Sequence, residues 1–186
     1  MAVTKLDLNK FADEVRKHCF APDFFERYTP VEVVAKINSL IGMIADSWWG
    51  LVHYDCRLKD GKNECKGCLH YMDCTGCTVS YLGDAILMIL AAASAWGAEI
   101  KLYDILSTNA KEITVPQIAV LAHKYVSGFV STIDFKRRDD SSIVPHSALM
   151  SNCLNWLLTW IKAMGVSPDA LLIGKFDESN MWGNDE

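Results

Sequence analysis

The sequence predicts an all-α fold, a helical bundle built from two degenerate copies of one helical repeat, and three observations predict it. Apolar residues recur at three- and four-residue spacing through most of the chain. Pro and Gly stand at the edges of those runs, where helices start and stop. The layout long helix, loop, long helix, short helix also occurs twice, as expected of an internal repeat.

Leu8, Phe11, Ala12, Val15 and Cys19 share one face of a helix predicted from about Leu6 to Cys19, and Pro22 closes that neighbourhood. Thr29, Pro30 and Glu32 form a helix start, with proline at the first helical position. The run Val31 to Trp49 then carries Val34, Ile37, Leu40, Ile41, Ile44 and Trp48 on one stripe, and Gly50 marks its expected end. A third helix is predicted from Val79 to Trp96, closed by Gly97. It is apolar nearly all round, which places it at the centre of the bundle. A short helix, Ile100 to Ser107, follows.

The second half repeats this order. Thr114-Val115-Pro116 opens a helix with Ile118, Leu121, Tyr125, Phe129 and Ile133 on its apolar side. A polar loop, Lys136 to Pro145, precedes a helix from Ser147 to Met164 that stops at Gly165, and Pro168 starts a short helix through Phe176. Sliding the halves by 68 positions places Trp96-Gly97 on Met164-Gly165. The repeats are read as residues 1–112 and 113–186, the first interrupted by an insertion at 55–78.

Composition narrows the function classes. A formal charge of −5 argues against general nucleic-acid binding, which needs a net basic surface. The one basic cluster, Lys136-Arg137-Arg138, is followed at once by Asp139-Asp140. No run of 18 or more apolar residues is free of polar interruption: Ala85 to Ile100, the richest, contains Ser94 and Glu99. The N-terminus lacks the apolar stretch of a secretory signal. A cytoplasmic location without a membrane span is the expectation, and there the seven cysteines are reduced or metal-bound rather than disulfide-linked.

Four of those cysteines form the most specific motif in the chain. Glu64-Cys65-Lys-Gly-Cys68 and Asp73-Cys74-Thr-Gly-Cys77 both read acidic-Cys-x-Gly-Cys. A C-x2-C spacing lets two thiolates from one tight turn face one ion, and the five residues between the pairs let the second turn come opposite the first. The expected product is a closed tetrahedral Zn2+ site with Zn–S distances of ~2.3 Å. Four protein ligands leave no position for water or substrate, so the metal is structural. The surrounding segment, Asp55 to Thr78, is polar and Gly-rich, and a piece this short needs a staple. An iron–sulfur cluster or a redox dithiol are the competing readings. Cys56, His53 and His70 are nearby alternates, and Cys19 and Cys153 sit on apolar helix faces as buried thiols.

Leu6 to Val15, Pro30 to Leu40, and Tyr81-Leu-Gly-Asp84-Ala-Ile-Leu-Met-Ile-Leu ending in Trp96-Gly-Ala-Glu-Ile together resemble the MazG-like all-α nucleoside triphosphate pyrophosphatases. The similarity covers about Leu6 to Ser107 and, more weakly, the second half. It implies helical dimers or fused dimers that cleave nucleotides between the α- and β-phosphates, with Mg2+ held by carboxylates on two facing helices. The departures bear on activity. The family's E-x-x-D reads Tyr81-Leu-Gly-Asp84 here, and its glutamate-rich first helix offers Ser39, Leu40, Gly42 and Met43, with Asp46 a turn later. Asn152 falls where Asp84 falls in the first half. Two isolated aspartates make a poor Mg2+ site, since a hard cation wants several oxygens. Asp84 as a buried residue bonded to a Tyr or a helix end is the plainer reading.

Trp48-Trp49 with Tyr54 could stack a base, or one Trp could face the core and the other cap it. His123 and His146 stand singly, and no G-x-S-x-G supports nucleophilic catalysis. The resemblance thus implies a nucleotide-binding or nucleotide-sequestering protein of impaired catalysis, with Trp48, Trp49 and Asp84 toward the nucleotide. Asp46 and Asp84 would be its catalytic pair, and Mg2+ its cofactor, only where hydrolysis survives. The alternative is a non-enzymatic, zinc-stapled helical module that binds a protein partner. Homo-oligomers are compatible with either.

Overall fold

The computed structural model describes residues 4–54, 58–59, 62–63, 74–102, 120, 124, 128 and 146–178. Helix α1 (Leu8–Cys19) starts two residues later than expected because Asp7 caps it, its carboxylate accepting from the Lys10 amide at 3.3 Å. Leu8, Ala12, Val15 and Cys19 form its buried face, as the spacing predicts. A single turn, α2 (Phe24–Arg27), was not foreseen. Four residues are too few to show a period, and tertiary packing of Phe24 and Phe25 on Phe20 holds it.

Helix α3 (Pro30–Tyr54) opens with the predicted start. The Glu32 carboxylate accepts from the Thr29 amide at 2.7 Å, and the Thr29 hydroxyl faces the Glu32 amide at 3.4 Å. The Thr29 amide and hydroxyl, the latter at 2.8 Å, both donate to the Glu32 carboxylate and hold it below its ordinary pKa. Val33, Val34, Ile37, Leu40, Ile41 and Ile44 are buried along it. The helix does not stop at Trp49 but continues through Gly50 to Tyr54. A glycine costs a helix only ~1 kcal/mol relative to alanine, too little by itself to end one.

Two-residue strands β1 (Leu58–Lys59) and β2 (Lys62–Asn63) pair antiparallel, Leu58 opposite Asn63, within the segment expected to be a polar insertion. Helix α4 (Cys74–Ala95) begins five residues before Val79, so the insertion expected at 55–78 ends in helix rather than loop. Asp73, next in sequence before it, is a residue type that favours the capping position.

As its all-round apolarity predicts, α4 is the centre: it packs against α1 and α3 and against two later helices, α5 (His146–Ala163) and α6 (Pro168–Glu178). Leu82 to Ala93 are buried without a break. The stretch Cys77–Ala95 is long and apolar enough to cross a membrane, and 78% of its window is buried inside the fold, as befits a core helix.

Helices α4 and α5 end alike. Gly97 (φ 66°) and Gly165 (φ 77°) take the left-handed conformation that glycine adopts without strain. The Ala98 amide then donates to the Ala93 carbonyl at 2.8 Å and the Val166 amide to Ile161 at 3.2 Å, the same six-to-one closure in each.

The helix expected at Ile100 is absent over Ile100–Leu102. Side chains take the backbone instead. The Glu99 and Lys101 amides donate to the Ser147 and Ser151 hydroxyls, at 3.1 and 2.9 Å. Asn9 serves both polar groups of Ile100, accepting from its amide at 2.7 Å and donating to its carbonyl at 3.0 Å. These bonds, to α5 and α1 in turn, hold the segment in a non-helical path and override the local helical pattern.

The helix expected from Pro116 is described only at Val120, Lys124 and Gly128, all helical. Its apolar positions Ile118, Leu121, Tyr125, Phe129 and Ile133 lie outside the described residues.

Candidate functional site

Of the four cysteines, Cys65 and Cys68 lie outside the described residues, as do the alternates Cys56 and His70. Cys74 is the first residue of α4 and Cys77 the fourth, so the second C-x2-C is a turn of helix rather than the tight turn expected. Residues three apart on a helix are neighbours on one face, with Cβ atoms ~5–6 Å apart.

Cys77 is buried at 2% exposure, and the adjacent Thr78 is fully buried. The Thr78 hydroxyl pairs with that of Ser47 on α3 at 2.8 Å, and Ser47 also donates to the Ile44 carbonyl at 3.0 Å. The start of α4 is thereby tied to the last third of α3. No acidic side chain stands in the first turn of α4 to complement the positive end of its dipole. Among the described residues, no three His, Cys, Asp or Glu side chains gather into a metal-binding group.

Cys19 and Cys153 are buried, as expected. Burial pushes the Cys153 thiol up to about 12, which leaves it inert as a nucleophile near neutral pH.

Asp84 lies nearly three turns into α4 and is the buried carboxylate among the described residues. It is not bonded to a Tyr or a helix end. Lys175, reaching across from α6, brings its Nζ within 3.2 Å of the Asp84 carboxylate and 2.8 Å of the Ser80 hydroxyl. Both charged side chains are nearly enclosed, at 11% exposure for Lys175 and 12% for Asp84, while Glu178 adds an outer contact at 3.7 Å.

Gly83 makes the crossing possible. A Cβ there would sit 2.7 Å from the Lys175 Cγ, closer than real contacts allow. Burial pushes the Asp84 carboxyl above its ordinary pKa, and Lys175 pulls it partly back.

Asp46 is exposed on α3. Trp48 and Trp49 belong to the same helix, their side chains outside the described set. On α5, Asn152 is half-buried. His146 opens that helix, and His123 lies outside the described residues. Phe176 is part of α6 and packs on α1, its ring 5.5 Å from that of Phe11 and 5.9 Å from His18.

Sequence reasoning missed Lys175 and Ser80. Two signals pointed to them. A lone acid in the most apolar helix demands a counter-charge, and a glycine inside a buried helix marks a close approach. Neither identifies the partner, which lies 91 positions away in sequence.

The chain was compared with protein-family models, with curated proteins and with solved structures, and none matches.

Proposed function

We propose that this chain is a non-enzymatic helical module, stapled by one structural Zn2+ at Cys65, Cys68, Cys74 and Cys77, that works by presenting its surface to a protein partner. The observation that carries the non-catalytic reading is the Lys175–Asp84 pair. A carboxylate that serves a divalent cation must offer its oxygens to it. Asp84 instead has an internal ammonium at 3.2 Å in a nearly closed setting. Asp46 is exposed on α3 and belongs to no group of three or more metal-ligating side chains among the described residues.

The zinc reading draws on the repeated C-x-G-C pattern and on the helical placement of its second pair. A thiolate tetrad is a closed site, which suits a scaffold better than a reaction centre.

A thermal-shift panel of nucleoside triphosphates and cyclic nucleotides, with and without Mg2+, tests the proposal. The expected result is no shift and no release of pyrophosphate. A ligand at tenfold excess over its Kd would add ~1.4 kcal/mol by linkage. A shift of that size would return the protein to the nucleotide-binding reading that the MazG-like residues imply. Pyrophosphate release lost in Asp84→Ala would make it an enzyme.

A further inference from the structure

Ser80, Gly83 and Asp84 stand at positions i, i+3 and i+4 of α4 and therefore share one face of that helix. The Ser80 hydroxyl and the Asp84 carboxylate both meet the same Lys175 ammonium, at 2.8 and 3.2 Å. Gly83, with no side chain, leaves the track along which the lysine stem arrives. A Cβ at that position would stand 2.7 Å from Cγ of Lys175 and 3.4 Å from Cδ and Cε, so three successive methylenes pass over it. A charged and a neutral oxygen at the end of so narrow a track select an unbranched primary alkylammonium. Such a group has N–H donors for both oxygens, whereas a quaternary ammonium has none and a branched stem collides with the helix at Gly83.

The occupant comes from another helix and has a second place to go. Lys175 reaches in from α6, and Glu178, three residues on, lies 3.7 Å from its ammonium. The Glu178 side chain is 68% exposed, so it offers the ammonium a carboxylate in water. Asp84, at 12% exposure, is the carboxylate that needs a cation, because burying it unpaired is costly. Any ammonium that follows the same track meets that need in the same way.

We infer that Ser80, Gly83 and Asp84 form a binding site for an unbranched primary alkylammonium, which the chain's own Lys175 fills as a displaceable occupant. The incoming ammonium takes Asp84 and Ser80, and Lys175 swings out to Glu178. A free alkylamine and the lysine side chain of a partner protein share this chemistry. An occupant tethered to the fold competes at an effective concentration on the order of mM. The site is therefore fully open only when Lys175 is removed.

Urea unfolding of Lys175→Ala at pH 7, in n-butylammonium chloride and in sodium chloride of equal ionic strength, tests the site. At tenfold excess over its Kd the amine should raise the folding equilibrium constant about tenfold above the salt control. tert-Butylammonium and tetramethylammonium should do nothing. n-Butylammonium should also leave Lys175→Met unchanged, whose side chain still fills the track, and Lys175→Ala/Gly83→Ala, whose track is blocked. Nα-acetyl-lysine N-methylamide separates the two sources: a response to it as well admits a partner's lysine, and a response to n-butylammonium alone restricts the site to free amines. In the native chain, n-butylammonium should shift the 15N signal of the Lys175 Nζ, assigned by its absence in Lys175→Met, and leave the other lysine signals in place. A Lys175→Ala response no larger than that to sodium chloride, or one shared by tetramethylammonium, overturns the site. A response in Lys175→Ala with an unmoved Lys175 signal in the native chain overturns the displaceable occupant. Should Lys175→Ala fail to fold, the native spectrum decides alone, and an unmoved signal overturns the proposal.

Discussion

Lys175→Met tests the buried ion pair. Methionine keeps the stem that lies over Gly83 and removes the ammonium, so packing is largely retained while Asp84 loses its counter-ion. Breaking one side of a buried pair costs about 3–5 kcal/mol. With both partners still 11–12% exposed, the lower end applies, about 3 kcal/mol. That is a large share of a typical domain stability of about 5–15 kcal/mol.

The pH dependence follows from the sign of the Asp84 shift. Its folded pKa lies above the unfolded value, so the folded state holds this proton more tightly. The contribution of this group to stability is then greatest at acid pH and is lost as pH rises through the folded pKa. Removing the Lys175 attraction raises that pKa further, so the variant's deficit should narrow from pH 7 to pH 5, by at most ~1.4 kcal/mol per unit. Urea denaturation of both proteins at the two pH values reads this directly. A deficit below about 1 kcal/mol at pH 7, the range of an exposed pair, would refute the reasoning. So would a deficit that does not change with pH.

Gly83→Ala should destabilise by about 1–2 kcal/mol despite the helix propensity of alanine, because the new Cβ displaces the Lys175 stem; in a Lys175→Ala background the same change should stabilise by about 1 kcal/mol. Asn155→Leu should stabilise by about 1–2 kcal/mol in urea titration, since both polar atoms of that fully buried amide lack partners among the described residues; a loss of stability would show that the amide is satisfied in solution. Asn9→Ala strips both backbone groups of Ile100 of their bonds and should cost about 1–2 kcal/mol, with faster exchange at the Ile100 amide. Iodoacetamide should leave Cys153 unmodified in the native chain at pH 7.5 and label it in urea, in keeping with a thiol held near 12.

The all-α fold was legible wherever the controlling signal is local. The Thr29–Glu32 cap, the Gly97 and Gly165 endings and the buried stripes of α1 and α3 each depend on residues a few positions apart. The centrality of α4 was legible because an all-apolar helix has one place to go. The misjudged boundaries come from glycine, treated as a stop at Gly50 and as a loop marker at Gly76, when its helical cost of ~1 kcal/mol does not by itself end a helix.

What stayed hidden is long-range. Asn9 from α1 and Ser147 and Ser151 from α5 take the backbone amides of Glu99 to Lys101 out of a helix, and Lys175 selects Asp84 from across the bundle. No window of sequence contains both partners of those contacts. The cysteine motif is the opposite case. Its spacing is local and suggests a proposed ligand set, while only the structure assigns Cys74 and Cys77 to helix.

Zinc K-edge X-ray absorption on the purified full chain, with metal stoichiometry from the same sample, addresses the central claim most directly. The account predicts one zinc per chain in a shell of four sulfurs at ~2.3 Å, falling below stoichiometric content in Cys65→Ser/Cys68→Ser. Iron with visible absorbance, a shell containing nitrogen or oxygen, or a chain that binds no metal would contradict it.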